Sequence, residues 1–340
     1  MIDLYSDTMT KPTPAMRKRM AEAEVGDEQR GEDPTVNRLQ DMVAELLGKE
    51  TAVYLPSGTM CNEISFAVWG RTGDEMILHR HAHPVHFEVG GPAYLARLML
   101  YPLDGPRGMF TAAQVEEAIR PDSPHYPRSR IVEIENTHNM GGGSIWPLAQ
   151  LQAVCAMAHR HGLMTHLDGA RLLNAVVATG IPASTYAEPF DSAWIDLSKG
   201  LGCPVGAVLA GAREFITDAR RLKHLFGGAM RQAGIIAAAG VYALERHVSR
   251  LAEDHEHAML LAQALAALSG VVLNPMDVET NIVIFDVAAS GRSAQEISEH
   301  LEKEGVRVSV MGRTKLRAVT HLGVSRQEID LAIDVCRRVL

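Results

Sequence analysis

The chain has 340 residues, with 33 Lys and Arg against 41 Asp and Glu and a formal net charge of −8. That length favours two domains over one, and 46% apolar with 22% charged residues is the balance of a globular protein with a sizeable core. A negative balance with no basic block excludes a non-specific nucleic-acid binder. The N-terminus shows no charged-then-apolar leader pattern, and no apolar run reaches membrane-spanning length. Cys61, Cys155, Cys203 and Cys336 make no C-x-x-C spacing, so reduced thiols in a soluble, cytoplasmic protein are expected.

In chain order, short β-rich runs are predicted at TAVYL (51–55), EMILH (75–79), IVEIEN (131–136), LMTHLD (163–168), SAWIDLS (192–198) and VGAVLAG (205–211). Helix-length stretches separate several of them. In PLAQLQAVCAMAHRHG (147–162) apolar residues recur at i, i+3 and i+4. Alternation of this kind predicts an α/β fold with a mostly parallel sheet flanked by helices. The Ala- and Leu-rich stretch 233–268 predicts one long helix leading to a smaller α+β domain, with strands at 281–287, 306–310 and 316–320. The expected division is a large domain with an N-terminal arm over 1–245 and a small domain over 246–340.

The chemically unusual residues fall at the carboxyl ends of predicted strands, where open sheets of this type gather ligands. Ser57-Gly58-Thr59 sits where a strand turns into a helix, and free N–H groups there suit a phosphate. An ordinary helix cap would use the same residues. Asp168, ending HLD, could keep a heterocyclic nitrogen protonated, or simply cap a helix. Lys199 follows one strand–helix–strand unit later, and partial desolvation there would favour a neutral, nucleophilic amine. A lone lysine is more often a surface residue. A phosphate cradle, an acid for a ring nitrogen and a Schiff-base lysine together are what pyridoxal 5′-phosphate requires. No nucleotide-triphosphate loop is present, and GLGCPV (200–205) lacks the third glycine of a dinucleotide fingerprint. In LHRHAHPVHFE (78–88), His79, His81 and His83 would share one face of an extended chain and could bind a metal. Pro84 interrupts that run, and a histidine stacked on a cofactor, or plain loop histidines, compete with the metal reading.

The chain resembles the threonine aldolases of the β-eliminating lyase group, fold-type I pyridoxal-phosphate enzymes of aspartate-aminotransferase-like fold. The resemblance runs end to end through SDTMTKPTPAMR (6–17), GEDPTVNRL (31–39), PSGTM (56–60), ENTHNMGGG (135–143), HLDGARL (166–172), LSKGLGCPVGAVLAG (197–211), GGAMRQAG (227–234) and RAVTHLGVS (317–325). It implies that Lys199 carries the cofactor as a Schiff base, Asp168 pairs with its ring nitrogen, Gly58 and Thr59 hold the phosphate, and His83 stacks on the ring. Ser6, Arg171 and Arg317 would clamp the substrate carboxylate, with Arg171 also near the ring hydroxyl. His125 matches a histidine near the substrate hydroxyl, so His83, His125 or a water held by them would be the base. No resident metal is implied. The implied activity is cleavage of L-threonine, L-allo-threonine or related β-hydroxy-α-amino acids to glycine and an aldehyde. Such enzymes are usually homotetramers with active sites at subunit interfaces, where Arg231 and Gly227–Gly228 would serve a neighbour.

The chain also departs from the group. Tyr5 stands for a common Arg, Arg30 for Tyr, Cys61-Asn62-Glu63 for Ala-Asn-Gln, and His224 for a frequent lysine. If Arg30 faces the pocket, it could receive a second acidic group, as in 3-hydroxyaspartate. A β-eliminating lyase or amino-acid racemase of the same fold, and a metal-dependent hydrolase built on His79, His81 and His83, are the competing readings.

Overall fold

The computed structural model describes all 340 residues, Met1–Leu340. Its strands in chain order are β1 (Ile2–Asp3), β2 (Thr51–Leu55), β3 (Glu75–His79), β4 (Met99–Leu103), β5 (Ser129–Glu135), β6 (Met164–Gly169), β7 (Ser192–Asp196), β8 (Ala207–Gly211), β9 (Ile282–Asp286), β10 (Val306–Arg307), β11 (Ser309–Val310) and β12 (Lys315–Val319). Seven of them form the central sheet in the order β2-β8-β7-β6-β5-β3-β4, and only β8 runs against its neighbours. Along β3, β7 and β8 every residue is buried, as in strands covered by helices on both faces.

Three elements differ from expectation. Strand β4 has no counterpart among the predicted runs, because Pro102 and its half-exposed pattern disguise an edge strand. The predicted long helix is two helices, Gly234–Arg246 and Leu251–Ala266. Between them His247 Nδ1 donates to the Leu201 carbonyl at 2.7 Å, pinning the break to the turn beyond Lys199. The run 306–310 likewise splits at Val308 into β10 and β11, which pair with different partners.

The larger apolar cluster packs around the central sheet. A second is built from Leu4 and residues between Ala258 and Cys336, around the antiparallel sheet β11-β12-β9. Leu4 belongs to this second core because the N-terminal arm crosses to it: β1 pairs with β10, and the Val319 N–H donates to the Leu4 carbonyl. The crossing brings residues 5–10 over the carboxyl edge of the central sheet. All four cysteines are buried and unpaired, and no helix is long and apolar enough to cross a membrane.

Candidate active site

A cavity of about 290 Å³ opens at the carboxyl ends of β2, β6 and β7. Lys199, Asp168, His83, Gly58, Thr59 and Arg171 all line it. Strand ends far apart in sequence therefore converge, as expected.

Lys199 lies three residues beyond the end of β7, in the turn that follows. Its ammonium is 3.2 Å from Asp196 Oδ2, and its carbonyl accepts from Thr10 Oγ1 at 2.8 Å. The other Asp196 oxygen accepts from the Ser198 N–H and hydroxyl, so the lysine's partner is itself held in place. Ahead of the helix Gly58–Trp69, the Ser57 side chain accepts from the Met60 N–H and caps the turn. The N–H groups of Gly58 and Thr59 have no intrahelical acceptor and stand at the cavity. A Cβ at Gly58 would overlap the Trp194 ring, so only glycine lets this backbone approach so closely.

Asp168 accepts from the Ala170 N–H at 3.0 Å and from Asn62 Nδ2 at 2.9 Å. Burial, and next Glu135, push its carboxyl up to about 6, against the pull of His83, Lys199 and Asn62. Behind it the donor directions are determined. Trp69 Nε1 donates to Ser192 Oγ, whose hydroxyl donates to His166 Nδ1. His166 Nε2 and Trp194 Nε1 both donate to Asn62 Oδ1, and the Asn62 amide donates to Asp168 and Glu88. Full burial holds the His166 imidazole down to about 3, so it stays neutral in this chain of bonds.

His83 opens the short helix His83–His86 and gives its N–H to Glu135 Oε2 at 3.0 Å. Its Nδ1 donates to Glu88 Oε1 at 2.8 Å, which leaves Nε2 as the free ring nitrogen. Burial opposes charge on the imidazole, yet the Glu88 hydrogen bond and the Asp168 and Glu135 carboxylates raise it above the ordinary value.

Arg171 gives Nε and Nη2 to the two oxygens of Asp7, each at 2.7 Å, which leaves both Nη1 hydrogens and the second Nη2 hydrogen uncommitted. Arg317 is held by Asn139 Oδ1 at 2.7 Å, by Ser309 Oγ at 3.2 Å and by the Tyr5 carbonyl at 3.4 Å. Burial and the nearby Arg171 guanidinium lower it from its usual value. Neither Arg317 nor Ser6 lines the cavity; Ser6 caps the short turn Asp7–Met9 beside it. Arg30 and His125 are exposed and do not line the cavity of their own chain. Arg30 lies 4.0 Å from Asp27, which also binds Arg231 at 2.8 Å.

The three-histidine metal site does not form. The chain turns after β3 instead of staying extended, so His79 bonds the Gly105 carbonyl while His83 starts a helix and bonds Glu88. No group of three or more His, Cys, Asp or Glu side chains is arranged to hold a metal.

Residue-by-residue reading missed Asp7, Asn62, Glu88, Glu135, Trp194 and Asp196. Asp196 carried a signal, lying three residues before Lys199. Asn62 sat one turn along the helix from Gly58, but its four partners come from other elements.

A family model described as β-eliminating lyase matches residues 3–289. The chain belongs to the β-eliminating lyase family. Its relatives include the low-specificity L-threonine aldolase of Escherichia coli K12, 40% identical over 97% of this chain and 96% of that protein. Low-specificity L-threonine aldolase 1 of Arabidopsis thaliana is 36% identical over 100% and 96%. An alanine racemase of Cochliobolus carbonum is 30% identical over 99% and 87%. Among solved structures, the threonine aldolase of Leishmania major superposes with a TM-score of 0.84 at 21% identity, over 99% of both chains. Rhizobium meliloti aspartate aminotransferase gives 0.71 at 14%, over 99% and 90%. At such low identity these two likenesses show the fold, the α/β architecture of fold-type I enzymes with its smaller C-terminal sheet.

The cavity of this β-eliminating lyase family member fits pyridoxal 5′-phosphate by its donor set. It offers one amine, one buried carboxylate on two donors, and paired N–H groups at a helix start where glycine alone fits.

Proposed function

We propose that this chain is a pyridoxal-phosphate carbon–carbon lyase that cleaves L-threonine, L-allo-threonine and related β-hydroxy-α-amino acids to glycine and an aldehyde. One observation carries the reading: Lys199, Asp168 and the start of the Gly58 helix converge on one cavity, in a chain 40% identical to a low-specificity L-threonine aldolase. Lys199 would hold the cofactor through Nζ, Asp168 its ring nitrogen, Gly58 and Thr59 its phosphate, and His83 a ring face. When bound, the cofactor supplies an electron-withdrawing ring that takes up the electron pair of the breaking carbon–carbon bond.

The protein's own residues do the rest. Arg171, with Arg317 and Ser6, binds the substrate carboxylate; because Asp7 already fixes the guanidinium, little orientational freedom is lost on binding. His83 Nε2 accepts the proton of the β-hydroxyl, since Glu88 occupies Nδ1. His125 is the second candidate for that proton, and Arg30 for an acidic substituent on the substrate. Both are exposed on their own chain, which suits a homotetramer whose active sites lie at subunit interfaces. We place the enzyme in the cytoplasm. Relative turnover of threonine and 3-hydroxyaspartate in Arg30→Tyr tests the acidic subsite: an unchanged ratio removes Arg30 from it.

Colour and product decide the main reading. A yellow absorbance bleached by borohydride and lost in Lys199→Ala, with aldehyde detected by coupled reduction, is the expected result. A keto acid with ammonia would mean elimination instead. A racemised amino acid would mean the activity named for the Cochliobolus relative. A colourless protein that takes up no pyridoxal phosphate overturns the proposal.

A further inference from the structure

Behind His83 lies a second carboxyl that the site as described does not use. Glu63 is on the helix Gly58–Trp69, with 1% of its surface exposed, and its carboxyl packs so tightly on Gly91 that a Cβ there would overlap it. Its neighbouring carboxyl is that of Glu88, itself only 3% exposed. Glu88 Oε1 is fully used, accepting from His83 Nδ1 and Asn62 Nδ2, both at 2.8 Å. Glu88 Oε2 and both Glu63 oxygens have no donor anywhere in the chain.

Two neighbouring buried carboxylates, both ionised, would leave these three oxygens without a donor and would repel each other. A single proton removes the conflict, because a Glu63 O–H can donate to Glu88 Oε2. We propose that Glu63 and Glu88 share one proton, and that this proton limits the charge of the pair behind His83 to one, making Glu63 a positioning residue for the imidazole. The other groups facing the cluster leave this proton in place. Asp168, Glu133 and Glu135 are acidic, His166 is neutral, Cys61 is a buried thiol, and Lys199 is paired with Asp196. Burial and the neighbouring Glu88 push Glu63 up to about 9.

The consequence is for the free nitrogen of His83. Were Glu63 ionised at neutral pH, a second negative charge next to Glu88 would favour the imidazolium of His83. Nε2 would then carry a proton and could not accept another, and the shared proton keeps it free to do so. This last step rests on the proposed role of His83 as base, whereas the shared proton does not.

The test therefore has readouts of both kinds. In the holoenzyme at pH 7.5, the infrared difference between wild type and Glu63→Gln is expected to contain the carbonyl stretch of a protonated carboxylic acid, vanishing from wild type as pH rises through about 9. Glu133, whose carboxyl burial also pushes well up, is common to both proteins and cancels. In NMR, the His83 ring resonance, assigned with His83→Asn, should shift again near that pH in wild type but not in Glu63→Gln. Glu63→Met, which offers Glu88 no donor, should raise the His83 midpoint above that of Glu63→Gln. The acid limb of kcat/KM, set by the His83 midpoint, should lie at higher pH in Glu63→Met than in Glu63→Gln. Absence of the carboxylic-acid band at pH 7.5, or a His83 titration identical in all three proteins, overturns the shared proton. If those two readouts hold while the kcat/KM profile is unaffected, it is the assignment of His83 as base that fails.

Discussion

Asp7 holds Arg171 through two parallel hydrogen bonds, Nε to one oxygen and Nη2 to the other, each at 2.7 Å, with both side chains buried. The carboxylate comes from the N-terminal arm and the guanidinium from the turn after β6, and Asn281 of the smaller core adds a bond to the same carboxylate at 3.2 Å. One ion pair thus ties the arm, the central sheet and the C-terminal part together at the edge of the cavity.

Replacing Asp7 by Asn leaves a buried guanidinium without its counter-charge. Breaking such a pair costs about 3–5 kcal/mol, so Asp7→Asn should lower the urea midpoint clearly. KM for the amino acid should rise more than kcat falls, because Arg171 loses its fixed orientation. Steady-state kinetics that show only a kcat loss would contradict this role.

Asn62 donates to Asp168 and Glu88 while accepting from Trp194 and His166. Asn62→Leu strands all four groups. Losing a hydrogen bond to a buried charged group costs about 1–3 kcal/mol, or roughly 5–150-fold in an equilibrium constant. The expected outcome is weaker retention of pyridoxal phosphate by that factor, measured by dialysis and absorbance, with Lys199 still reactive to borohydride at saturating cofactor.

Gly58→Ala drives a methyl into the Trp194 ring, which its bond to Asn62 holds in place. Overpacking of this kind costs about 1–3 kcal/mol. Phosphate affinity should fall with stability, because relief of the clash moves the N–H groups that face the cavity. Inorganic phosphate competition against cofactor binding reads this directly.

His166 makes the protein acid-sensitive. Its folded value of about 3 lies below the ordinary 6.5, so the stability gained by keeping it neutral is present above pH 6.5 and lost as pH falls toward 3. The full loss is roughly 4–5 kcal/mol. His166→Gln should be less stable at pH 7 yet show a shallower decline between pH 6.5 and 4. Equal slopes in urea titrations of the two proteins would remove His166 as the cause.

Much of this fold was legible in the sequence because buried strands write their pattern locally. The strands at 51–55 and 75–79 lie where their apolar runs end, and the Ser57 cap stands where small and hydroxyl residues precede a helix. Strand β4 was not legible, since its proline and half-exposed face read like a loop until β3 supplies a partner. The break at 247–250 was hidden for the same reason. A helix-forming stretch is interrupted by a bond from His247 to a carbonyl that only folding brings near.

The sequence by itself determined where Lys199, Asp168 and Gly58-Thr59 stand, at or just beyond strand ends, because side-chain period and turn residues are local properties. Only the tertiary structure decided what each of them feels. Asp196 beside Lys199, Asn62 beneath Asp168, Asp7 on Arg171 and the Glu63–Glu88 contact behind His83 depend on burial and on elements distant in the chain. Electrostatic energies follow distance and desolvation, and neither exists until the chain is folded.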